Sequence, residues 1–314
     1  MPLALLFVVD PLDHLKAYKD TSVAMMREAA RRGHAVWVCT PLDLAASGTS
    51  VTARVTRLAL NDDDHAWYEE KGAEERDLAS FDCVLMRKDP PFDVEFLAAT
   101  LLLSRAAALG ARILNDPQAL RDHNEKLAAL EFPQFTVASL VTRDAQRIRD
   151  FWDEHGDIIV KPLDGMGGTG IFRLQPGDAN AGAILETVTV NGTRSAMAQR
   201  FIPEIRDGDK RILVIDGEPV PYCLARVPKP GETRGNLAVG GTGRAQPLSA
   251  RDREIATAVG RALLPRGLRL LGLDVIGDYM TEVNVTSPTC FVEIAEQTGC
   301  NVAGLFIDAL EKSL

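Results

Sequence analysis

Long apolar runs are missing from this chain, and none approaches the length of a membrane span. The apolar start, Leu3-Ala-Leu-Leu-Phe-Val-Val9, has no basic segment before it and stops at Asp10-Pro11, so it reads as a buried first strand rather than a signal peptide. Cysteine is scarce. The five residues Cys39, Cys83, Cys223, Cys290 and Cys300 are odd in number, scattered and never spaced C-x-x-C, which argues against a disulfide framework or zinc and for reduced thiols in a cytoplasmic protein. Positive charge is also short, with 35 Lys and Arg against 44 Asp and Glu for a net charge of −9. A surface devoted to nucleic acid or to anionic membrane is therefore not expected. Three nucleotide signatures are absent too. No glycine fingerprint follows the first strand, no Gly-Lys-Ser/Thr closes a P-loop, and neither His-Arg-Asp nor Asp-Phe-Gly occurs.

What remains is an ordinary globular composition: 314 residues, 46% hydrophobic and 25% charged, enough for two domains or one large one. Residues 3–120 alternate strand patterns (3–9, 35–39, 51–60, 81–86, 111–114) with helical ones (22–32 and 93–109, closed by Gly33 and Gly110). This predicts an open α/β layer with a mostly parallel sheet. Ligands of such sheets gather beyond the carboxyl ends of the strands. Asp10 and the turn Arg87-Lys-Asp-Pro-Pro-Phe-Asp93 stand there. Arg87 and Lys88 could clamp a carboxylate, with Asp89 meeting an amine or fixing Arg87, or the run could be only a rigid charged turn. A new helix is expected near residues 122–126, with Asp122 or Asn124 as N-cap, and the domain boundary is placed there. Lys126 then lies in a first turn, where a helix dipole gives a cation no advantage.

Residues 158–174 read as strand, glycine loop, strand. The loop is Asp164-Gly-Met-Gly-Gly-Thr-Gly170. A strand rather than a helix follows it, so it is either a plain hairpin turn or a flap whose backbone N–H groups fold over phosphates, with Lys161 pointing at them. After a helix at 180–191, the strand at 196–203 could line an adenine pocket. Strands at 212–215 and 219–225 follow, with Arg211 at a strand start. Residues 226–247 then lose all pattern, which suggests a lid rich in glycine and arginine. Helices at 249–265 and 301–312 flank a hairpin over 270–288 with its turn at Gly277-Asp278-Tyr279. Pairing about Asp278 sets Asp274 opposite Glu282 and puts Asn284 on the same face. A two-residue loop at Asp278-Tyr279 would separate Asp274 from Glu282. On one face the three are hard oxygen ligands suited to Mg²⁺; the same hairpin could also simply turn its polar face to water.

Together these stretches resemble the bacterial glutathione synthetase family of ATP-grasp ligases. The matching segments are residues 86–93, Asn124-Glu-Lys-Leu127, Lys161-Pro-Leu-Asp-Gly-Met-Gly-Gly168, Asp207-Gly-Asp-Lys-Arg211, Gly231-Glu-Thr-Arg-Gly-Asn-Leu-Ala238, Gly272-Leu-Asp-Val-Ile-Gly277 and residues 281–289, in family order over nearly the whole chain. The resemblance implies an N-terminal α/β substrate domain (1–122) before a two-subdomain, α+β ATP-grasp fold (123–200 and 201–314). It implies ATP-dependent ligation of γ-glutamylcysteine and glycine through an acyl phosphate, with Mg²⁺ (or Mn²⁺) as cofactor, in a cytoplasmic homotetramer. Lys126, Lys161, Gly165, Met166, Gly167, Gly168, Gln199, Phe201, Ile202 and Asp209 would hold ATP. Asp274, Glu282 and Asn284 would hold the metal, and Arg211 and Arg226 would act on the reacting groups. Asp10, Arg87, Asp89, Arg234, Gly240 and Gly241 would bind the peptide substrate. Arg200 stands where a neutral polar residue is expected and Arg244 comes later than expected, so neither is assigned. Two other readings remain: a ligase of the D-alanyl-D-alanine type, or a nucleotide-binding protein that keeps the fold without turnover.

Overall fold

The computed structural model describes residues 1–314, apart from the side chain of Val239. Its first sheet grows around β1 (Ala4–Val8), whose residues 5–8 are all buried because both faces of the strand are covered. β2 (Ala35–Cys39), β6 (Cys83–Met86) and β7 (Ile113–Leu114) join it in parallel, in the order β2-β1-β6-β7. At the β2 edge β4 (Ser50–Leu60), the strand expected at 51–60, adds antiparallel and is flanked by β3 (Leu44–Ser47) and β5 (Tyr68–Asp77), neither of which the sequence suggested. β5 leaves no such signal because the mostly charged run Tyr-Glu-Glu-Lys-Gly-Ala-Glu-Glu-Arg-Asp is exposed along most of its length and shows no apolar alternation.

α1 (Thr21–Arg31) starts at Asp20, whose side chain accepts from the Val23 N–H, and α2 (Val94–Ala108) starts in the same way at Asp93. The helix expected from residue 122 does not form. Instead α3 (Pro117–Asp122) ends there, begun by Asp116 as cap and Pro117 at its first position. Asn124 still serves as a cap, its Oδ1 accepting from the N–H groups of Lys126 and Leu127, but of a turn rather than a helix.

The second sheet is antiparallel, ordered β10-β9-β11-β8 from β8 (Ser139–Thr142), β9 (Ile158–Pro162), β10 (Phe172–Leu174) and β11 (Ala196–Arg200). α4 (Ala145–His155) and α5 (Ala181–Thr189) cover one face. Alternation along β9 buries Ile158 and Val160 under these helices and turns Ile159 and Lys161 to the opposite, open face.

The third sheet, ordered β14-β13-β12-β15-β16, contains β12 (Asp209–Ile215), β13 (Glu218–Val227), β14 (Thr242–Pro247), β15 (Leu270–Ile276) and β16 (Tyr279–Asn284). α6 (Ala250–Leu263), opened by a Ser249–Asp252 capping box, packs on its back. The expected patternless run over 226–247 is thus shorter than the sequence suggested. β13 continues to Val227 and β14 pairs back along it from Thr242, leaving 228–241 irregular except for a short 3-10 turn at Leu237–Val239.

α7 (Phe291–Thr298), which the sequence reading passed over, and α8 (Val302–Ser313) bring the chain back against α1. Glu28 on α1 receives hydrogen bonds from Arg31 and Arg32, and Arg32 reaches on to Asp308 and Glu311 of α8. The Arg31 bond, set against burial and aided by Arg32, lowers the Glu28 pKa to about 2. That contribution to stability is present above the ordinary glutamate value and is lost as pH falls towards 2. Urea midpoints at pH 5 and pH 2.5 should therefore fall further in the native chain than in Glu28→Gln. Equal falls would remove Glu28 from the acid response.

Candidate active site

The open faces of the second and third sheets look at each other. On the third sheet the register places Asp209 beside Arg226, Arg211 beside Asp274, and Asp274 beside Glu282. The β15–β16 hairpin reaches that pairing by an unexpected route. Ile276 pairs with Tyr279 across a two-residue Gly277-Asp278 turn, and a bulge between Asp274 and Val275 then shifts the register by one. Without the bulge, Asp274 would face Thr281. The sequence-level pairing is thus correct, although the turn is shorter than assumed.

Arg211 donates from Nε to Asp274 Oδ1 at 2.6 Å, and Arg226 lies 2.8 Å from Asp274 Oδ2 while also pairing with Asp209. Burial opposes ionisation of Asp274, but the two guanidiniums outweigh it and hold the carboxyl well below the usual range. Gly272 makes room for this pair, since a β-carbon there would stand 3.0 Å from Arg211 Cδ. Glu282 Oε1 accepts from Lys161 Nζ at 3.2 Å and lies 3.6 Å from Lys126 Nζ. Burial is again outweighed, here by the two lysines, and the Glu282 pKa is lowered. Burial pushes the Lys161 pKa down, so an incoming anion would favour its charged form. Burial also raises Asp209 to about 6, and its Oδ1 is buried without a hydrogen-bond partner.

Two clefts meet at these groups. The first, of about 830 Å³, is lined by Lys126, Lys161, the loop 165–169, Gln199–Ile205 residues including Phe201 and Ile202, Asp209 and Arg234. The second, of about 790 Å³, is lined by Asp89, Arg211, Arg226, Asn284 and residues 286–290 other than Pro288. Gly165, Met166, Gly167, Asn236, Asp274 and Glu282 belong to both. Among the described residues no set of three carboxylate, imidazole or thiol ligands comes together, so Glu282, Asn284 and Asp274 offer an incomplete oxygen set that a phosphate could complete. Asn284 commits its amide nitrogen to Gly272 O at 2.9 Å, which leaves its oxygen free.

Four expected substrate residues are not in either lining. Asp10 accepts from the Asp89 N–H and pairs with Lys88, holding the 88–89 turn. Arg87 is buried behind the second cleft, bonded to Ser22 and Pro288, with Nη1 unpartnered. Gly240 lies against Lys229, and Gly241 packs on the backbone of Gly235 and Asn236. Arg234 faces the first cleft rather than the second. Arg200 lines the first cleft and stands 5.7 Å from the Tyr279 ring. Conversely, Glu125, Asn236, Thr286, Thr289 and Cys290 line the second cleft without having been singled out. The first four sit inside the motifs Asn124-Glu-Lys-Leu127, residues 231–238 and residues 281–289, beside the more conspicuous Lys126, Arg234, Glu282 and Asn284.

The glycine loop touches the irregular segment directly. A β-carbon on Gly168, whose φ is +86°, would meet Asn236 Oδ1 at 2.8 Å, and one on Gly167 would lie 3.7 Å from Ala238. Gly168→Ala should lower kcat/KM roughly tenfold, the equivalent of ~1–2 kcal/mol of left-handed strain on the closed loop. Its thermal midpoint should change little. Kinetics indistinguishable from the native chain would detach this contact from turnover.

Comparison with known proteins bears on this geometry. Residues 3–121 match the prokaryotic glutathione synthetase N-terminal domain, and residues 125–299 match the prokaryotic glutathione synthetase ATP-grasp domain. The chain belongs to the prokaryotic glutathione synthetase family. It is 60% identical over 309 residues to a glutathione synthetase of Ralstonia nicotianae, covering 98% of this chain and 95% of that one. The Salmonella typhimurium glutathione synthetase is 52% identical over 307 residues, with 98% of each chain covered. Solved structures share the fold at lower identity. D-cycloserine synthetase DcsG has a TM-score of 0.69 at 16% identity over 99% of each chain, and ATP-grasp ligase PsnB 0.65 at 20% over all of each. As a member of this family the chain is an ATP-dependent ligase with an ATP-grasp fold, acting on small molecules.

Proposed function

We propose that the enzyme joins γ-glutamylcysteine to glycine, giving glutathione, ADP and phosphate. The observation that carries this reading is the position of Asp274 and Glu282 in the shared wall of the two clefts. A nucleotide in the first cleft and a carboxylate in the second would meet across them. The cysteine carboxylate of the peptide would attack the γ-phosphorus of ATP, releasing ADP. The amine of glycine would then attack the acyl carbon, and the carbon–oxygen bond to phosphate would break with its electron pair leaving on phosphate.

Lys126 and Lys161 would hold the phosphates, with residues 165–168 closing over them, and Gln199, Phe201, Ile202 and Asp209 would line the nucleoside end. Glu282 and Asn284, with Asp274 directly or through water, suit a hard divalent cation, Mg²⁺ or Mn²⁺. When bound it would neutralise charge developing between the phosphates. Arg211 and Arg226, fixed by Asp274 and Asp209, would stabilise the acyl phosphate and the tetrahedral oxyanion. The flap and the 228–241 lid would keep out water that hydrolyses the intermediate. In the second cleft Asp89 would orient the peptide, while Asp10 and Arg87 would shape its turn from behind.

The division into 1–122, 123–200 and 201–314 is supported by three sheets that each fall within one segment, although α8 returns to pack on α1. A cytoplasmic homotetramer completes the proposal, and sedimentation at working concentration tests the oligomer. No helix is long and apolar enough to cross a membrane. The substrate assignment is tested by phosphate release across a panel of peptides and amino acids. Release should require γ-glutamylcysteine with glycine, whereas activity confined to D-alanine would replace this reading with a D-alanine ligase.

A further inference from the structure

On the open face of the second sheet, β11 carries an amide whose orientation is fixed by a neighbouring strand. Gln199 of β11 pairs directly with Ser139 of β8 on one side and with Ile159 of β9 on the other, so the three side chains share a face. Lys161 pairs with Met197 in the same register, which puts Gln199 about 7 Å along the sheet from the lysine assigned to the phosphates. Around it the first cleft turns apolar, with Ile159, Phe201, Ile202 and Ile276 in its walls. Apolar walls with one fixed polar group among them suit a nucleobase.

Gln199 is only 4% exposed, and its Nε2 donates to Ser139 Oγ at 3.1 Å. The Ser139 hydroxyl itself donates to Val137 O at 2.9 Å. Its single proton is thereby used, and only its lone pairs are left to meet Gln199. Turning the amide over would bring Oε1 against that oxygen, two acceptors with no proton between them. The serine thus selects one of the two amide orientations. In that orientation Oε1 has no hydrogen-bond partner among the described residues, yet it is not a fully buried orphan, so it opens to the cleft that Gln199 lines.

We infer that Ser139 sets the choice of nucleobase by holding Gln199 Oε1 as an acceptor for the 6-amino group of adenine. Ser139 is a positioning residue and acts through Gln199 without touching the nucleotide. The inference rests on the placement of the nucleoside end at Gln199 given above. A 6-oxo purine offers an oxygen where adenine offers N–H, so it would meet the fixed Oε1 as acceptor against acceptor. Without the serine hydroxyl the lone pairs that hold Nε2 are gone, and the amide is free to turn its NH2 towards a 6-oxo group.

Inosine triphosphate is the probe, since it differs from ATP only in its 6-oxo group and the N1 proton that accompanies it. Nucleoside diphosphate release in the full reaction mixture gives kcat/KM for each nucleotide from one preparation, so loss of folded enzyme cancels in their ratio. The native chain should favour ATP by about 100-fold or more, as befits a site whose buried polar group is left unpaired by the wrong base. Ser139→Ala should cut that ratio at least roughly tenfold, lowering kcat/KM for ATP and raising it for inosine triphosphate. Ser139→Thr keeps a hydroxyl on a side chain that suits a strand, and should hold the ratio within about threefold of native. Gln199→Ala should cut the ratio at least as far as Ser139→Ala, and the two together should cut it no further. A serine that only braces the strand predicts equal losses with both nucleotides, and an unchanged ratio in Ser139→Ala would overturn the positioning role while leaving Gln199 in place. A Gln199→Ala chain that favours ATP as strongly as the native one, or a native chain indifferent to the two nucleotides, would overturn the nucleoside placement and this inference with it.

Discussion

Replacing Glu282 with Gln should reduce turnover by about 10²–10³-fold, the size seen when one group stabilising transition-state charge is removed. The substitution keeps the shape of the side chain and removes its charge. Two effects then act together. A hard oxygen ligand is lost from the Asp274–Glu282–Asn284 face, so activity should need much more Mg²⁺ to saturate. Lys126 and Lys161, both buried, also lose the carboxylate that lies 3.6 and 3.2 Å from them. Burial already pushes the Lys161 pKa down, and without Glu282 it falls further, weakening its hold on phosphate. Activity measured against Mg²⁺ concentration reads both effects. Native turnover at native Mg²⁺ would remove Glu282 from the site.

Arg211→Met should cost a similar 10²–10³-fold in kcat while leaving KM for ATP nearly unchanged. Arg211 lines the second cleft and not the first, so nucleotide binding does not depend on it directly. Asp274 would keep Arg226 at 2.8 Å, so its buried charge is not left bare and the fold should persist. Lys at this position should not restore the rate, because an ammonium cannot reproduce the planar fork that meets both Asp274 and a phosphate oxygen. A variant that raises KM for ATP and spares kcat would place Arg211 on the nucleotide and contradict the role proposed here.

The parallel strands, both glycine-closed helices and the β15–β16 hairpin are legible because each has a local cause: a continuous apolar run, a helix-ending glycine, or β-branched alternation. β4 is legible at 51–60, but its partner β5 is not, because β5 is mostly exposed and exposure erases the alternation that betrays a strand. The bulge at Asp274 could not be read at all, since the choice between turn lengths depends on what the whole β15–β16 pair packs against. The same holds for the site. Lys161, Glu282 and the glycine loop announce themselves through residue type and spacing. Asp10 and Arg87 do so as well, yet neither lines the cleft: Asp10 holds the 88–89 turn, and Arg87 is tied to Ser22 and Pro288. Polar residues after a strand mark the right end of the sheet without saying which of them face the opening. Glu125 is the reverse case, a cleft residue hidden between two more conspicuous neighbours.

Measuring ADP and glutathione together tests the central claim most directly, using Mg²⁺-ATP, γ-glutamylcysteine and glycine and leaving out each in turn. ADP release that needs the complete mixture, with glutathione formed in equal amount, is the predicted result. ADP in the full mixture without any glutathione, or no ADP under any combination, would contradict it.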